Sequence, residues 1–179
     1  MFVEVAGAMW AGIASASFAL IAFGSDSIIE LSSAFVVLRH LRRDTAGSRE
    51  QGEREALFTS LLLFALVPAI GISSTVAFFV LRIQPDTSLL GVIVAAGAVL
   101  IMPYLWREKR KIGQETGCLP LSLDALESAT CFSMSVALFA GLILEYLFHV
   151  GWFDYLATLV ILVFIANEAR ESFSKARGK

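Results

Sequence analysis

Long apolar stretches alternate with short polar ones along the whole chain. A membrane-spanning helix needs about 20 apolar residues to cross a ~30 Å hydrocarbon core. Six apolar segments stand out as spans, at residues 1–14, 18–41, 55–81, 89–106, 121–148 and 155–169. Ser15-Ala16-Ser17 reads as a turn, 42–55 as a charged connector with Gly47, Ser48 and Gly52, and 82–88 as a short turn around Gln84-Pro85-Asp86. Residues 113–120 and 149–154 complete the breaks. The first segment is short, since about 14 residues rising 1.5 Å each span only ~21 Å. Pro68 and Gly71 mark a kink point in the third, which neighbouring helices can tolerate, and Pro103 falls near the end of the fourth. The pattern predicts an all-α membrane protein, one transmembrane domain over 1–179, with six helices and a charged tail too short for a further domain.

Composition agrees. Hydrophobic residues make up 57% of the 179 and charged residues only 17%, with a mean hydropathy of +0.75, well outside the soluble average. Cys118 and Cys131 are too few for a disulfide framework and form no Cys-x-x-Cys pair. The N-terminus lacks the basic region and small-residue cleavage site of a signal peptide.

The net charge of −2 says little, but the placement of charge says more. Of 14 Lys and Arg, five lie in 39–54, four in 107–111 and four after 169, leaving only Arg82 in the alternate loops. The positive-inside rule then puts both termini and the basic connectors in the cytoplasm. This fits a multi-pass protein of a bacterial inner membrane or a plasma membrane. Tyr104, Trp106, Tyr146, Trp152 and Tyr155 sit near segment ends, where interfacial aromatics belong. The basic residues are thereby explained without nucleic acid.

Against this background two stretches are anomalous. Asp26 and Glu30 stand four residues apart inside the second segment, so both project from one helix face. An ionised carboxylate near the midplane costs about 2.5 to 3.5 kcal/mol on insertion scales, so a bound cation, a proton or a water path must offset it. The fifth segment carries Glu127 and Cys131 with the same spacing, and Asp124 one turn earlier. Three carboxylates and a thiol suit a divalent transition ion. Zn²⁺ accepts carboxylate oxygen and thiolate sulfur in tetrahedral sites, whereas Mg²⁺ and Ca²⁺ prefer oxygen alone. The ligands bind when deprotonated, so metal and protons exclude one another.

Competing structural readings exist for each residue. A single intramembrane carboxylate can simply hydrogen-bond between helices, and a lone cysteine in a span is commonly a small apolar filler. Asp124 is placed for an outer shell or an entry path. Ser27, Ser33 and Ser128 serve close helix contacts more often than ligand orientation. His40 and His149 lie at segment ends, Glu4 is ambiguous, and Asp154 suits a helix start favoured by the dipole.

At these residues the chain resembles the cation diffusion facilitator (cation efflux) superfamily. Ala22-Phe23-Gly24-Ser25-Asp26-Ser27-Ile28-Ile29-Glu30 is similar to that family's second-helix signature, a [HD]-x-x-x-D pair, with Asp26 and Glu30 at the ligand positions. Leu123-Asp124-Ala125-Leu126-Glu127-Ser128-Ala129-Thr130-Cys131 is similar to Ala-Asp-Ala-x-His-x-x-x-Asp, with Glu127 in place of histidine and Cys131 in place of aspartate. Asp124 matches the lead aspartate, and Trp152-Phe153-Asp154 resembles the start of the family's sixth helix. The resemblance implies a cation-efflux-like bundle, a homodimer, and a midmembrane site of Asp26, Glu30, Glu127 and Cys131 with Asp124 assisting; the family's usual cytoplasmic C-terminal domain is expected to be missing, a departure from its pattern. It implies efflux of Zn²⁺, or of Co²⁺, Cd²⁺, Fe²⁺ or Mn²⁺, against protons as counter-ion by alternating access. The replaced histidine and aspartate leave the choice of metal open. A metal-binding membrane subunit that moves no ion and partners another transporter is the alternative. An intramembrane enzyme finds no nucleophile motif or phosphate loop to support it.

Overall fold

The computed structural model describes residues 2–41, 49–86, 88–116 and 119–176. They form α1 (Phe2–Ser15), α2 (Phe18–Leu41), α3 (Arg49–Val76) continued by a π-helical turn (Ala77–Leu81), α4 (Leu89–Thr116), α5 (Leu119–Phe148) and α6 (Trp152–Ala176), with no strand among the described residues. Five of these helices are long and apolar enough to cross a membrane, and α1 is a shorter apolar helix. Six helices in the expected order therefore stand, with α1 short as the pattern predicts.

Helix ends differ from apolar ends in three places. The fourth segment was expected to stop at 106, yet α4 runs through Pro103 and on to Thr116. Its last residues include Arg107, Glu108, Lys109, Arg110 and Lys111, all good helix formers, and all but Lys109 are exposed. Likewise α3 begins at Arg49, inside the expected 42–55 connector, and α6 begins at Trp152 and continues past 169 to Ala176. Hydropathy marks where lipid ends, which is not where a helix must end. The rest of that connector, 42–48, and residues 117–118 of the 113–120 break, Cys118 among them, lie outside the described residues.

Helix α2 is the hub, packing against α1, α3, α5 and α6, while α5 also packs against α4 and α6. Leu20, Phe23, Leu63, Met102, Met134, Leu138, Ile161 and Ile165 fill the shared core. Large apolar side chains such as Trp10, Phe58, Leu61, Val80, Ile93, Leu100, Leu147 and Leu159 are exposed on the outside. An apolar exterior of that extent is costly in water and ordinary in lipid. The α5/α6 contact is close because Gly141 has no side chain. A Cβ there would stand 2.6 Å from Ala157 Cβ.

One end of the bundle is clamped by hydrogen bonds. Ser17 is the N-cap of α2, its Oγ accepting from the Leu20 N–H at 3.1 Å. The remaining first-turn donors are met from another helix: Asp154 of α6 accepts from the Phe18 N–H at 2.9 Å and the Ala19 N–H at 3.5 Å, and from Ser17 Oγ. Asp154 stands in the first turn of its own helix, as expected, and it also caps α2. The 82–88 turn joins the same clamp, with Asp86 N–H donating to Ser15 O at 2.9 Å and Tyr155 Oη donating to Ile83 O at 2.7 Å. The Phe78 ring packs edge-on against both Trp152 and Tyr155.

Candidate metal-ion site

Eight residues beyond its capped start, α2 turns Asp26 inward, and one helical turn later Glu30. Both are buried, each 4% exposed, on the face that carries Phe23 and Ser27. Ser27 spends its hydroxyl within its own helix, donating to Phe23 O at 3.0 Å. From α5, Cys131 is fully buried, a free thiol in the core cluster, and Glu127 is half-buried. Cys131 and Glu127 lie on α5, which packs against α2, the helix that carries Asp26 and Glu30. Asp124 lies in α5, but its side chain is outside the described residues.

Two further carboxylates join this region. Glu168 of α6 is 8% exposed, on a helix that packs against both α2 and α5. Glu4 lies on α1, which packs against α2. Neither was assigned from sequence, yet Glu168 had a signal. It lies on the stripe Asp154, Thr158, Ile161, Ile165, Glu168, Ser172, every member buried and spaced by three or four residues. The same stripe logic on α5, Met134, Leu138, Leu142, Glu145, ends in another carboxylate that is 1% exposed. Glu145 lies near Asp154 and Asp86 at the clamped end, apart from the first group.

The interior is not a preformed cage. Among the described residues no three His, Cys, Asp or Glu side chains stand close enough together to hold one ion. Glu30 instead meets Ser128, whose Oγ donates to Oε1 at 2.8 Å across the α2/α5 interface. Lys109 of α4 completes the group, its Nζ 2.8 Å from Ser128 Oγ and 3.5 Å from Glu30 Oε1. Ser128, expected to serve close packing, is therefore a polar bridge between three helices. Lys109, counted from sequence with the solvated basic run, is drawn inward while Arg107, Arg110 and Lys111 stay exposed.

A carboxylate-rich interior of this kind in a lipid-facing bundle can bind cations, exchange them for protons, or do both. A search of curated proteins finds no match. A family model described as the cation efflux transmembrane domain matches residues 55–178, more than half of the chain, taking in Lys109, Glu127, Ser128, Cys131 and Glu168. Asp26 and Glu30 precede the matched range. The all-helical bundle, its apolar exterior and this match agree, and the chain belongs to the cation efflux family through its transmembrane domain.

Proposed function

We propose that this protein exports a divalent transition metal, Zn²⁺ foremost, in exchange for protons, with Asp26, Glu30, Glu127 and Cys131 as ligands. The observation that carries this reading is that Asp26, Glu30, Cys131 and Glu168 are all buried in the apolar interior, on three helices that pack against one another, in a chain of the cation efflux family. Membership makes the cargo a metal cation; zinc and proton coupling rest on the donor chemistry. A thiolate beside carboxylates selects Zn²⁺ and its softer relatives over Mg²⁺ and Ca²⁺. Because the donors must shed protons to bind, acid releases the ion and metal loading releases protons.

Because no three of the described donors stand close enough for one ion, the site forms by movement. The ligands close on the ion as Glu30 and Glu127 are drawn in toward Asp26 and Cys131. A site that is assembled in one state and opened in another is what alternating access needs. Asp124 serves the path toward the site and Glu168 stands as a fifth donor or proton carrier. We place the basic end of the bundle in the cytoplasm of a bacterial inner membrane or plasma membrane by the positive-inside rule, and we assign a homodimer.

The test is Zn²⁺ uptake into proteoliposomes carrying a pH gradient. We expect the Asp26→Ala, Glu30→Ala double variant to lose transport by at least about tenfold, the loss of one site-sized interaction or more. Full transport by that variant would remove both residues from the site. Zn²⁺ bound tightly by the wild type but never moved would favour a non-transporting metal-binding subunit.

A further inference from the structure

We propose that Lys109 is a tethered competitor of the transported ion: its ammonium holds the Glu30 carboxylate through Ser128 and is displaced when a divalent cation takes Glu30. The inference rests on the metal-site reading above and adds a residue to it that comes from another helix.

The geometry carries the argument. Helix α5 packs against both α2 and α4, and Lys109 reaches past it to the far side. Its Nζ meets Ser128 Oγ at 2.8 Å and Glu30 Oε1 at 3.5 Å, and Ser128 Oγ in turn donates to the same Oε1 at 2.8 Å. The position of Lys109 suits this reach, because helix side chains lean toward their own N-terminus, here into the bundle and away from the basic end. The Lys109 side chain is 16% exposed and that of Glu30 3%. The lysine thus keeps a route to water that the carboxylate lacks.

An ammonium and a divalent ion cannot both sit on Oε1. Their repulsion at contact is twice that between two unit charges, in surroundings less screened than water. The lysine is the partner that can leave: its four-carbon stem is flexible and its head is well hydrated once outside. Arg110 does not take its place, being stacked 5.7 Å over the Trp106 ring. The exchange is one cation for another at Glu30. Its consequences are that Glu30 is never left as a bare buried anion, and that metal affinity is set below what the ligands alone would give. A weakened affinity favours release, which a transporter needs as much as capture.

The test uses full-length purified protein, stripped by a chelator and titrated calorimetrically with Zn²⁺. We expect Lys109→Gln to bind Zn²⁺ about tenfold more tightly than the wild type, because the competing charge is gone, and Lys109→Arg to bind close to wild type. Unchanged or weaker binding by Lys109→Gln would overturn the proposal, since a merely structural lysine loosens the site when removed. A second readout needs no variant. Amine-reactive labelling of Lys109 in the wild type, followed by mass spectrometry, should rise on adding Zn²⁺, and labelling indifferent to Zn²⁺ would also overturn it. Zn²⁺ binding that persists in the Asp26→Ala, Glu30→Ala variant would instead sink the site reading on which the competition rests.

Discussion

Asp154 and Glu30 are both buried carboxylates in one bundle of helices, and they are held in opposite ways. Asp154 accepts from two backbone N–H groups and one serine hydroxyl, all at the start of α2, with no cation in the set. Glu30 is met by a serine hydroxyl and by the ammonium of a long side chain with access to water. Backbone donors cannot leave without unwinding a helix, whereas a lysine can leave by rotating its stem. The first carboxylate is therefore a fixture and the second an exchangeable position. The contrast divides the bundle into a clamped end, where Ser17, Asp86 and Tyr155 lock turns to helices, and an interior where Glu30 meets the side chains of Ser128 and Lys109.

The sharpest way to break this contrast is to remove each carboxylate and compare stability. Asp154→Ala strands the Phe18 and Ala19 N–H groups and the Ser17 hydroxyl in a buried place. Leaving several buried donors unsatisfied should cost about 3 kcal/mol or more. Glu30→Gln keeps shape and an acceptor for Ser128, and leaves a lysine that can turn toward solvent, so its cost should be smaller than that of Asp154→Ala. Thermal unfolding in detergent checks both. Equal losses would mean that Glu30 is as structural as Asp154.

The same contrast explains what could be read in the sequence. The six helices follow from hydropathy because the solvent around them is uniformly apolar, and the Asp26/Glu30 and Glu127/Cys131 pairs are visible because a polar pair at i and i+4 is rare in such a stretch. Lys109 was hidden among four basic residues that the positive-inside rule already accounts for. Which of the four turns inward depends on the length of α4, and apolar content does not report it. Glu168 was hidden because it stands where apolar sequence gives way to the charged tail, though its stripe from Asp154 to Ser172 betrays it. The cap that Asp154 supplies joins residues 136 apart in sequence and has no local signature at all.

Within the interior, Cys131 offers a finer distinction. It is fully buried between Met134 and Ser128 on a face that meets α2, which suits a packing cysteine as well as a ligand. Replacing sulfur by oxygen with little change of size separates the two. If the thiol is a ligand, Cys131→Ser should weaken Cd²⁺ binding several-fold relative to Mn²⁺, since soft ions depend on thiolate most. Competition titrations of the two ions report the ratio directly. An unchanged preference order would return Cys131 to the core as filler.

The smallest effect belongs to the clamped end and concerns backbone alone. Ala16, between α1 and α2, sits at φ 54°, the left-handed region where a Cβ is strained. It is held there because Ser17 N–H donates to Gly12 O at 2.9 Å, closing α1, while Ser17 must also begin α2 under Asp154. Glycine adopts this conformation without strain, at some entropic cost to folding. We therefore expect Ala16→Gly to stabilise the protein by about 0.5 to 1 kcal/mol, a shift of a few degrees in Tm, with Zn²⁺ affinity unchanged. A gain in stability accompanied by altered metal affinity would show that the clamp and the ion site are coupled through α2. The clean division between fixture and exchange site would then give way to one mechanical unit.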